Sequence, residues 1–387
     1  MSLLTGVRVL ACEVGLAGPM CSRMLGDLGA EVIKIERPGH GDVTRGWDTA
    51  AKGLASGFVW VNRGKKSVAI DLRDDATRPA IEALVRASDV FLVNFSPGWV
   101  ESVGLDEASV RALRDDIVYT EISGYGAVGP YAEKNAYDLI VQGETGLISL
   151  TGTPEEPARI SLPIVDIGAG TNAAVATLAA LVRRMRTGEG ESVSVAMFDS
   201  MIDWLGYYPH FWWHRGEAPT RWGLRHPMFV PYGPKKGADN RYFNLAVLSA
   251  EHWRVLCEDV IKRPDLFADD RYATLEGRAE HRDELEPELD RIFLSRGADS
   301  WLEDLEAAGI PCGLVREFPE VMEHPQLLEG GMISEVDSPA GSIPVIGSPI
   351  LVGGERVEVG AVPGLGEHTH EVLKGLGVPE DVLAAIP

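Results

Sequence analysis

The 387-residue chain is 45% hydrophobic and 24% charged, enough apolar material to bury a large core in two lobes or one big domain. Its net charge of -22 at pH 7 repels polyanions, which argues against nonspecific attachment to nucleic acid or to an anionic membrane; a polyanionic ligand needs a local basic site. Cys12, Cys21, Cys257 and Cys312 show no CxxC spacing, so the sequence offers no zinc knot, no metal site and no disulfide framework, and it fits a reducing cytosol. The opening MSLLTGVRVLACE lacks the basic start and apolar run of a signal peptide, and no stretch is read as a membrane span of roughly 18 apolar residues. The expected location is cytoplasmic.

Strand and helix signals alternate up to about residue 200. Val7 to Cys12 reads as a buried strand, Pro19 to Leu28 as a helix and Glu31 to Glu36 as a second strand. Ser67 to Leu72 follows as a third strand, Ala76 to Ala87 as a helix and Asp89 to Asn94 as a fourth strand. A strand at Ile117 to Ile122 ends in the turn Ser123-Gly124-Tyr125-Gly126, and Asn172 to Arg186 reads as a helix stopped by Gly188. Such alternation predicts an α/β fold whose mainly parallel sheet is covered on both faces. The run Trp204 to Trp213 reads as a packed helix, and His210 and His214 within or beside it lack a carboxylate partner for metal binding. Beyond Gly223 the texture changes to short strands (Tyr242 to Val247) and charged helices (Arg278 to Leu294, Ala298 to Ala308), the pattern of a smaller α+β lobe. Pro- and Gly-rich strands from Met332 to Val359 and a helical segment from Glu371 to Ala385 close the chain.

Three stretches carry chemistry. In the first turn, Gly15 and Gly18 flank a GxxGP sequence, and Glu36 stands where a nucleotide-binding sheet places the carboxylate for a ribose hydroxyl. The third glycine of a dinucleotide fingerprint is missing, so a tight turn with close helix packing fits the residues as well as a nicotinamide site does. The second stretch is basic: Arg63, Lys65 and Lys66, together with Arg37 after the second strand, suit a phosphate clamp at the carboxyl edge of the sheet, although a solvated loop has the same composition. The third is "SLPIVDIGAGTNAA", in which Asp166 precedes a long helix among small residues. An aspartate there is ordinarily a helix cap; the same position also keeps a carboxylate ionised and reachable, as a nucleophile requires.

The strings "LAGPMCSRMLGDLGAEVIKIERPGHGDVTR", "VNRGKKSVAIDL", "VNFSPGWVESVGL", "ISGYGAVGPYAEKNAYDLIVQGETGLISLTG" and "DIGAGTNAAVATLAALVRRMRTGEGESVSVAMFDS" resemble the class III coenzyme A transferases, the formyl-CoA and carnitine-CoA transferase family, over nearly the whole chain. The resemblance implies a Rossmann-like large lobe with a parallel sheet (residues 1–200, completed by 330–387), a linker helix (201–224), a smaller α+β lobe (225–325) and an interlocked homodimer. It also implies that the chain moves coenzyme A from an acyl-CoA donor to a carboxylic acid, with no tightly bound cofactor and acyl-CoA as substrate. Carried over position by position, it makes Asp166 the catalytic aspartate. It places Leu16, Ala17, Arg37, Lys65, Lys66, Ser67, Asn94, Phe95, Ser96, Asn135, Ala136, Tyr137, Asp138 and Met197 around the coenzyme.

In the implied reaction Asp166 attacks the donor thioester, and the anhydride so formed yields an aspartyl-CoA thioester, with backbone amides of Ile167 to Gly170 as candidate oxyanion donors. Formyl-CoA transferases carry glutamine where this chain has Leu16. The stretch Val247 to His252 aligns with a glycine-rich lid but contains no glycine. The segment "RWGLRHPMFVPYG" resembles members that act on dicarboxylates such as succinate and glutarate; Arg159, Arg221, Arg225 and His226 are the candidates for holding the acceptor. The α-methylacyl-CoA racemases share the fold but need a histidine and a glutamate where this chain has Tyr137 and Ala250.

Overall fold

The computed structural model describes residues 2–386. Six parallel strands, β1 (Arg8–Cys12), β2 (Glu31–Glu36), β3 (Lys65–Ala69), β4 (Val90–Val93), β5 (Val118–Ser123) and β6 (Ser192–Ala196), form one sheet in the order β3-β2-β1-β4-β5-β6. The strand order reverses between β1 and β4, and in such sheets the crevice outside the carboxyl ends at that point is where ligands bind.

Both faces of the sheet are covered, which is why its strands read as continuous apolar runs. Leu10, Ile33, Val68 and Phe91 pack on one face with Ile81 and Leu84 of the Arg78–Arg86 helix and with Leu373 and Leu383 from the C-terminal helices Thr369–Gly375 and Glu380–Ala385. On the other face Val9, Val32, Leu92 and Val118 meet Cys21 and Leu25 of the Ala17–Asp27 helix and Ala169 and Ala173 of the Ile164–Thr187 helix. The free edge of β3 is tied to the chain's end: the His368 amide donates to the Ser67 carbonyl at 3.0 Å and the Ala69 amide to Thr369 Oγ1 at 2.9 Å.

The Ile164–Thr187 helix begins eight residues before the predicted Asn172, because Val165, Gly168, Ala169 and Gly170 are buried as one packing face. Contrary to the absence of any span expected from the sequence, this helix is long and apolar enough to cross a membrane by length and composition, although half of its apolar window is buried in the fold. Its small residues serve close packing: a Cβ on Gly170 would stand 2.6 Å from the Ala17 carbonyl oxygen.

The chain divides into two units, one of residues 1–147, 159–218 and 325–387 and another of 148–158 and 219–324. Residues 201–218 therefore group with the sheet, and 148–158 join the second unit. Within that unit the antiparallel strands Tyr232–Lys236, Tyr242–Ala246 and Cys312–Leu314 pack beside Trp253, Phe293 and Trp301. The expected helix from Arg278 to Leu294 is two, Leu275–Glu280 and Arg282–Phe293, parted at His281. Arg278, buried over Trp253, donates to the carbonyls of Val230 and Tyr272. In the first unit the aromatic helix Tyr208–Arg215 buries none of its residues, with Trp213 68% exposed, contrary to the packed helix that its composition suggests.

Candidate active site

Glycine shapes the first strand-to-helix turn in two ways. Gly15 adopts φ +75°, which an L side chain resists, and its amide donates to Asp42 at 3.3 Å. A Cβ on Gly18 would lie 2.7 Å from the Asn94 side chain. That closeness is used: the Asn94 side-chain amide donates to the Val14 carbonyl and accepts from the Val14 amide, both at 2.8 Å, and so joins the ends of β1 and β4 at the switch point. Asn94 thus holds the turn.

Beneath the turn lies a buried ionic network. Glu13 Oε1 accepts from Lys65 at 2.6 Å and from Ser22 at 2.9 Å and lies 3.4 Å from Lys34, while Lys34 reaches Asp42 at 2.8 Å. Burial acts to lower the Lys34 ammonium, but Glu13 and Asp42 outweigh it and hold its pKa above the ordinary value. Lys65 is pushed down to about 8 by burial, with Glu13 opposing and Lys34 adding to the fall. Glu36 accepts from Arg45 at 2.8 Å, from Ser67 at 2.6 Å and from the Asp42 amide at 2.9 Å. Burial alone would raise its carboxyl, yet Arg45, Lys34 and Ser67 bring it below its usual range. That carboxylate is already taken by Arg45, Ser67 and the Asp42 amide, which weakens the support for a dinucleotide site.

The four-cation clamp does not assemble. β3 begins at Lys65, so Lys65 and Lys66 stand at the amino end of the sheet. Lys65 is buried against Glu13, Asn62 and the Pro19 carbonyl; Lys66 pairs with Glu31 and Glu371; Arg63 is buried against Asp27 at 2.5 Å. Ser67, also buried, donates to Glu36. Lys65 and Ser67 are buried supports and Lys66 is held half-exposed in its ion pairs, and none of the three lines the cavity at the carboxyl edge. Arg37 alone of the clamp is exposed at the carboxyl edge.

A cavity of about 280 Å³ opens there, walled by Val14, Ile35, Arg37, Leu72, Arg73, Phe95 and Trp99 among others. Phe95 stacks on Trp99 with ring centroids 3.9 Å apart. Trp99 lies in the stretch "VNFSPGWVESVGL" without being singled out there, and Arg73 belongs to no motif, although like Arg37 it follows a strand of the sheet, four residues after β3. Two arginines beside stacked aromatics suit a phosphorylated nucleotide.

Asp166 stands in the first turn of the Ile164–Thr187 helix, which packs in the same core as the Ala17–Asp27 helix. Gly170, one turn further along the same helix, abuts the Ala17 carbonyl and so sets Asp166 near the start of the first helix. Asp166 occupies the first turn without making a cap hydrogen bond; the Val165 amide is instead taken by Asp138, whose Oδ1 accepts it at 2.8 Å. No hydrogen bond or ion pair reaches the Asp166 carboxylate among the described residues. Its pKa is pushed up to about 7, by burial first and then by the charge of Asp138. The amides of Ile167 to Gly170 lie inside the helix and are taken up by helical bonds, Ile167 donating to Pro163 at 3.0 Å, so they are unsuited as oxyanion donors. The Asp166 amide itself finds no partner among the described residues.

Nearby, a Cβ on Gly124 would come within 2.5 Å of the Ala136 Cβ, so the turn after β5 brackets the Asn135–Asp138 segment. Asn135 and Tyr137 are exposed, and Met197 is buried in the core that holds Val165. Leu16 is half-buried, Ala17 buried and Ser96 exposed. Among the described residues no cluster of three potential metal ligands exists.

The model of CoA-transferase family III matches residues 4–369. The chain belongs to that family. This family III transferase is 33% identical to succinyl-CoA:glutarate CoA-transferase of Mus musculus over 97% of its length and 86% of the relative's. It is 32% identical to acetyl-CoA:oxalate CoA-transferase of Acetobacter aceti, covering 97% of itself and 96% of that protein. Among solved structures, a CAIB/BAIF family protein from Brucella suis superposes on the transferase with a TM-score of 0.85 at 33% identity, covering 97% of this chain and 99% of that one. The protein is a class III CoA transferase that uses acyl-CoA.

Proposed function

We propose that the transferase moves coenzyme A from a donor acyl-CoA to a dicarboxylate acceptor through covalent intermediates on Asp166. The observation that carries this reading is an unpartnered carboxylate held at about 7, in a domain whose sheet has at its carboxyl edge a cavity walled by Arg37, Arg73, Phe95 and Trp99. The cavity takes the nucleotide end of the coenzyme. Leu16, Ala17, Ser96, Asn135, Ala136, Tyr137 and Met197 follow its course to Asp166, while Asn94 and Asp138 support the backbone around it.

An oxygen of ionised Asp166 adds to the thioester carbonyl, the carbon–sulfur bond breaks, and a mixed anhydride and a thiolate result. The thiolate attacks the aspartyl carbonyl, expelling the donor acid and leaving an aspartyl-CoA thioester. The acceptor carboxylate attacks that carbonyl in turn, and the released thiolate cleaves the second anhydride on its acyl side, restoring Asp166. The unpaired Asp166 amide is a donor for the developing oxyanion.

Three of the four candidates for the acceptor are otherwise engaged. Arg221 donates to the carbonyls of Thr153, Pro154 and Ser149; Arg225 pairs with Glu286 at 3.0 Å; His226 Nδ1 accepts from the Met228 and Phe229 amides. Arg159, exposed and with no ion pair among the described residues, is the candidate for the distal carboxylate. The racemase alternative lacks its base: Tyr137 and Ala250 occupy the relevant positions, and Glu251 is paired with Arg254 at 2.7 Å. A homodimer is part of this reading, supported by exposed apolar residues on the nucleophile's helix, Val175, Val182 and Met185.

Peptide mapping after incubation with succinyl-CoA and hydroxylamine tests the proposal. Modification of the Asp166 peptide, absent in Asp166→Asn, supports it, and turnover with glutarate against oxalate identifies the acceptor class. An unmodified Asp166 combined with α-proton exchange in heavy water overturns it in favour of racemisation.

A further inference from the structure

Gln142 is fully buried and meets its surroundings with its whole side-chain amide. Nε2 donates to Asp138 Oδ2 at 2.7 Å and to the Ile160 carbonyl at 3.2 Å, while Oε1 accepts from the Ile160 amide at 3.0 Å. Asp138, with its other oxygen, accepts from the Val165 amide at 2.8 Å. One helix, Asp138–Glu144, thus grips the chain at two places, Ile160 and Val165, shortly before the nucleophile. The segment between them, Ser161 to Pro163, has no regular structure.

We propose that Asp138 and Gln142 form a clasp that fixes the position of the Asp166 carboxylate, making both of them positioning residues for acyl transfer. The inference rests on Asp166 being the nucleophile. The logic of the clasp is one of donor and acceptor polarity. Asp138 presents acceptors only, so Gln142 must turn its NH₂ toward it, and that orientation matches the carbonyl and amide of Ile160. Asp138→Asn keeps an acceptor for Val165 but sets an NH₂ against the NH₂ of Gln142. Flipping Gln142 repairs that contact and breaks both contacts to Ile160. Gln142→Glu in the same chain restores the pattern. The neutral carboxyl it introduces has a hydroxyl that accepts from the new NH₂ at position 138 and donates to the Ile160 carbonyl, while its carbonyl oxygen accepts from the Ile160 amide. Burial favours that neutral form.

Misplacing a reacting group by about 1 Å costs on the order of 10²-fold in rate. The expected result is therefore a fall in kcat of about 10²-fold for Asp138→Asn, with KM for succinyl-CoA unchanged. The double variant Asp138→Asn with Gln142→Glu recovers most of that loss. Gln142→Met, close in length and without a hydrogen-bonding amide, provides a second way to open the clasp should Asp138→Asn fold poorly, as judged by thermal melting and circular dichroism. Wild-type kcat in Gln142→Met, or a double variant no faster than Asp138→Asn, overturns the clasp. Absence of a covalent Asp166 adduct in the unaltered enzyme would instead overturn the underlying assignment of the nucleophile, so the two failures are distinct.

Discussion

Asp166 binds its proton more tightly in the folded chain than in the unfolded one, because burial and the Asp138 charge raise its carboxyl from 3.8 to about 7. Ionisation therefore opposes folding, by an amount absent well below pH 4 and fully present above pH 7. Asp166→Asn removes that opposition. Urea unfolding at pH 8 is expected to show the variant more stable by roughly 1 to 2 kcal/mol, water screening part of the charge, with the advantage vanishing below about pH 4. In the active enzyme the same shift places the acid limb of kcat/KM near pH 7, where an ordinary aspartate would place it near 4. Arg73 belongs to the same scale. If the cavity takes the nucleotide as proposed, Arg73→Ala removes a charge-assisted phosphate contact of about 1.5 to 3 kcal/mol, so KM for acyl-CoA is expected to rise about tenfold or more while kcat holds. An acyl-pantetheine lacking the nucleotide should not distinguish variant from parent.

At the scale of elements, the ionic network under the first turn links β1, β2 and β3 through one carboxylate. Glu13 is shared by two buried ammonium groups, and a buried pair broken on one side leaves an uncompensated charge. Glu13→Ala is expected to destabilise the protein by about 3 to 5 kcal/mol in chemical denaturation. Glu31→Ala, which breaks the half-exposed pairs with Arg8 and Lys66, should cost less than about 1 kcal/mol. The contrast is a matter of solvent: the same residue type at the surface loses little because water replaces its partner. In the proposed reading, coenzyme recognition at the switch point falls to Arg37 and Arg73 beyond the strands, while the lysines of the basic stretch pair with carboxylates that join the strands.

The whole molecule carries a net charge of -22, so binding an anionic coenzyme is confined to a short-range site with its own cations. It also leaves large apolar side chains in water, with Trp213 and Met185 the most prominent on their helices at 68% and 86% exposed. In the proposed homodimer this exposure is the surface that the second chain covers. Sedimentation equilibrium is expected to give twice the chain mass, and Met185→Glu to shift the population toward the single chain.

Sequence alone determined the parallel α/β sheet, because strands covered on both faces must be continuous apolar runs and the helices between them must alternate with them. It also marked Asp166, Arg37 and the Gly15–Gly18 turn, each by a local pattern joined to a family resemblance. Which cations stand at the carboxyl edge of the sheet was not legible, since Lys65 and Lys66 differ from Arg37 only in the end of the sheet where they stand, a fact set by strand register. Nor was the Asp138–Gln142 clasp, whose partners are 18 and 27 positions apart in the chain and meet only when the helices pack. Composition and periodicity record what a residue does to its neighbours along the chain. Charge placement and carboxylate pKa depend on neighbours in space, and only the tertiary structure supplies those.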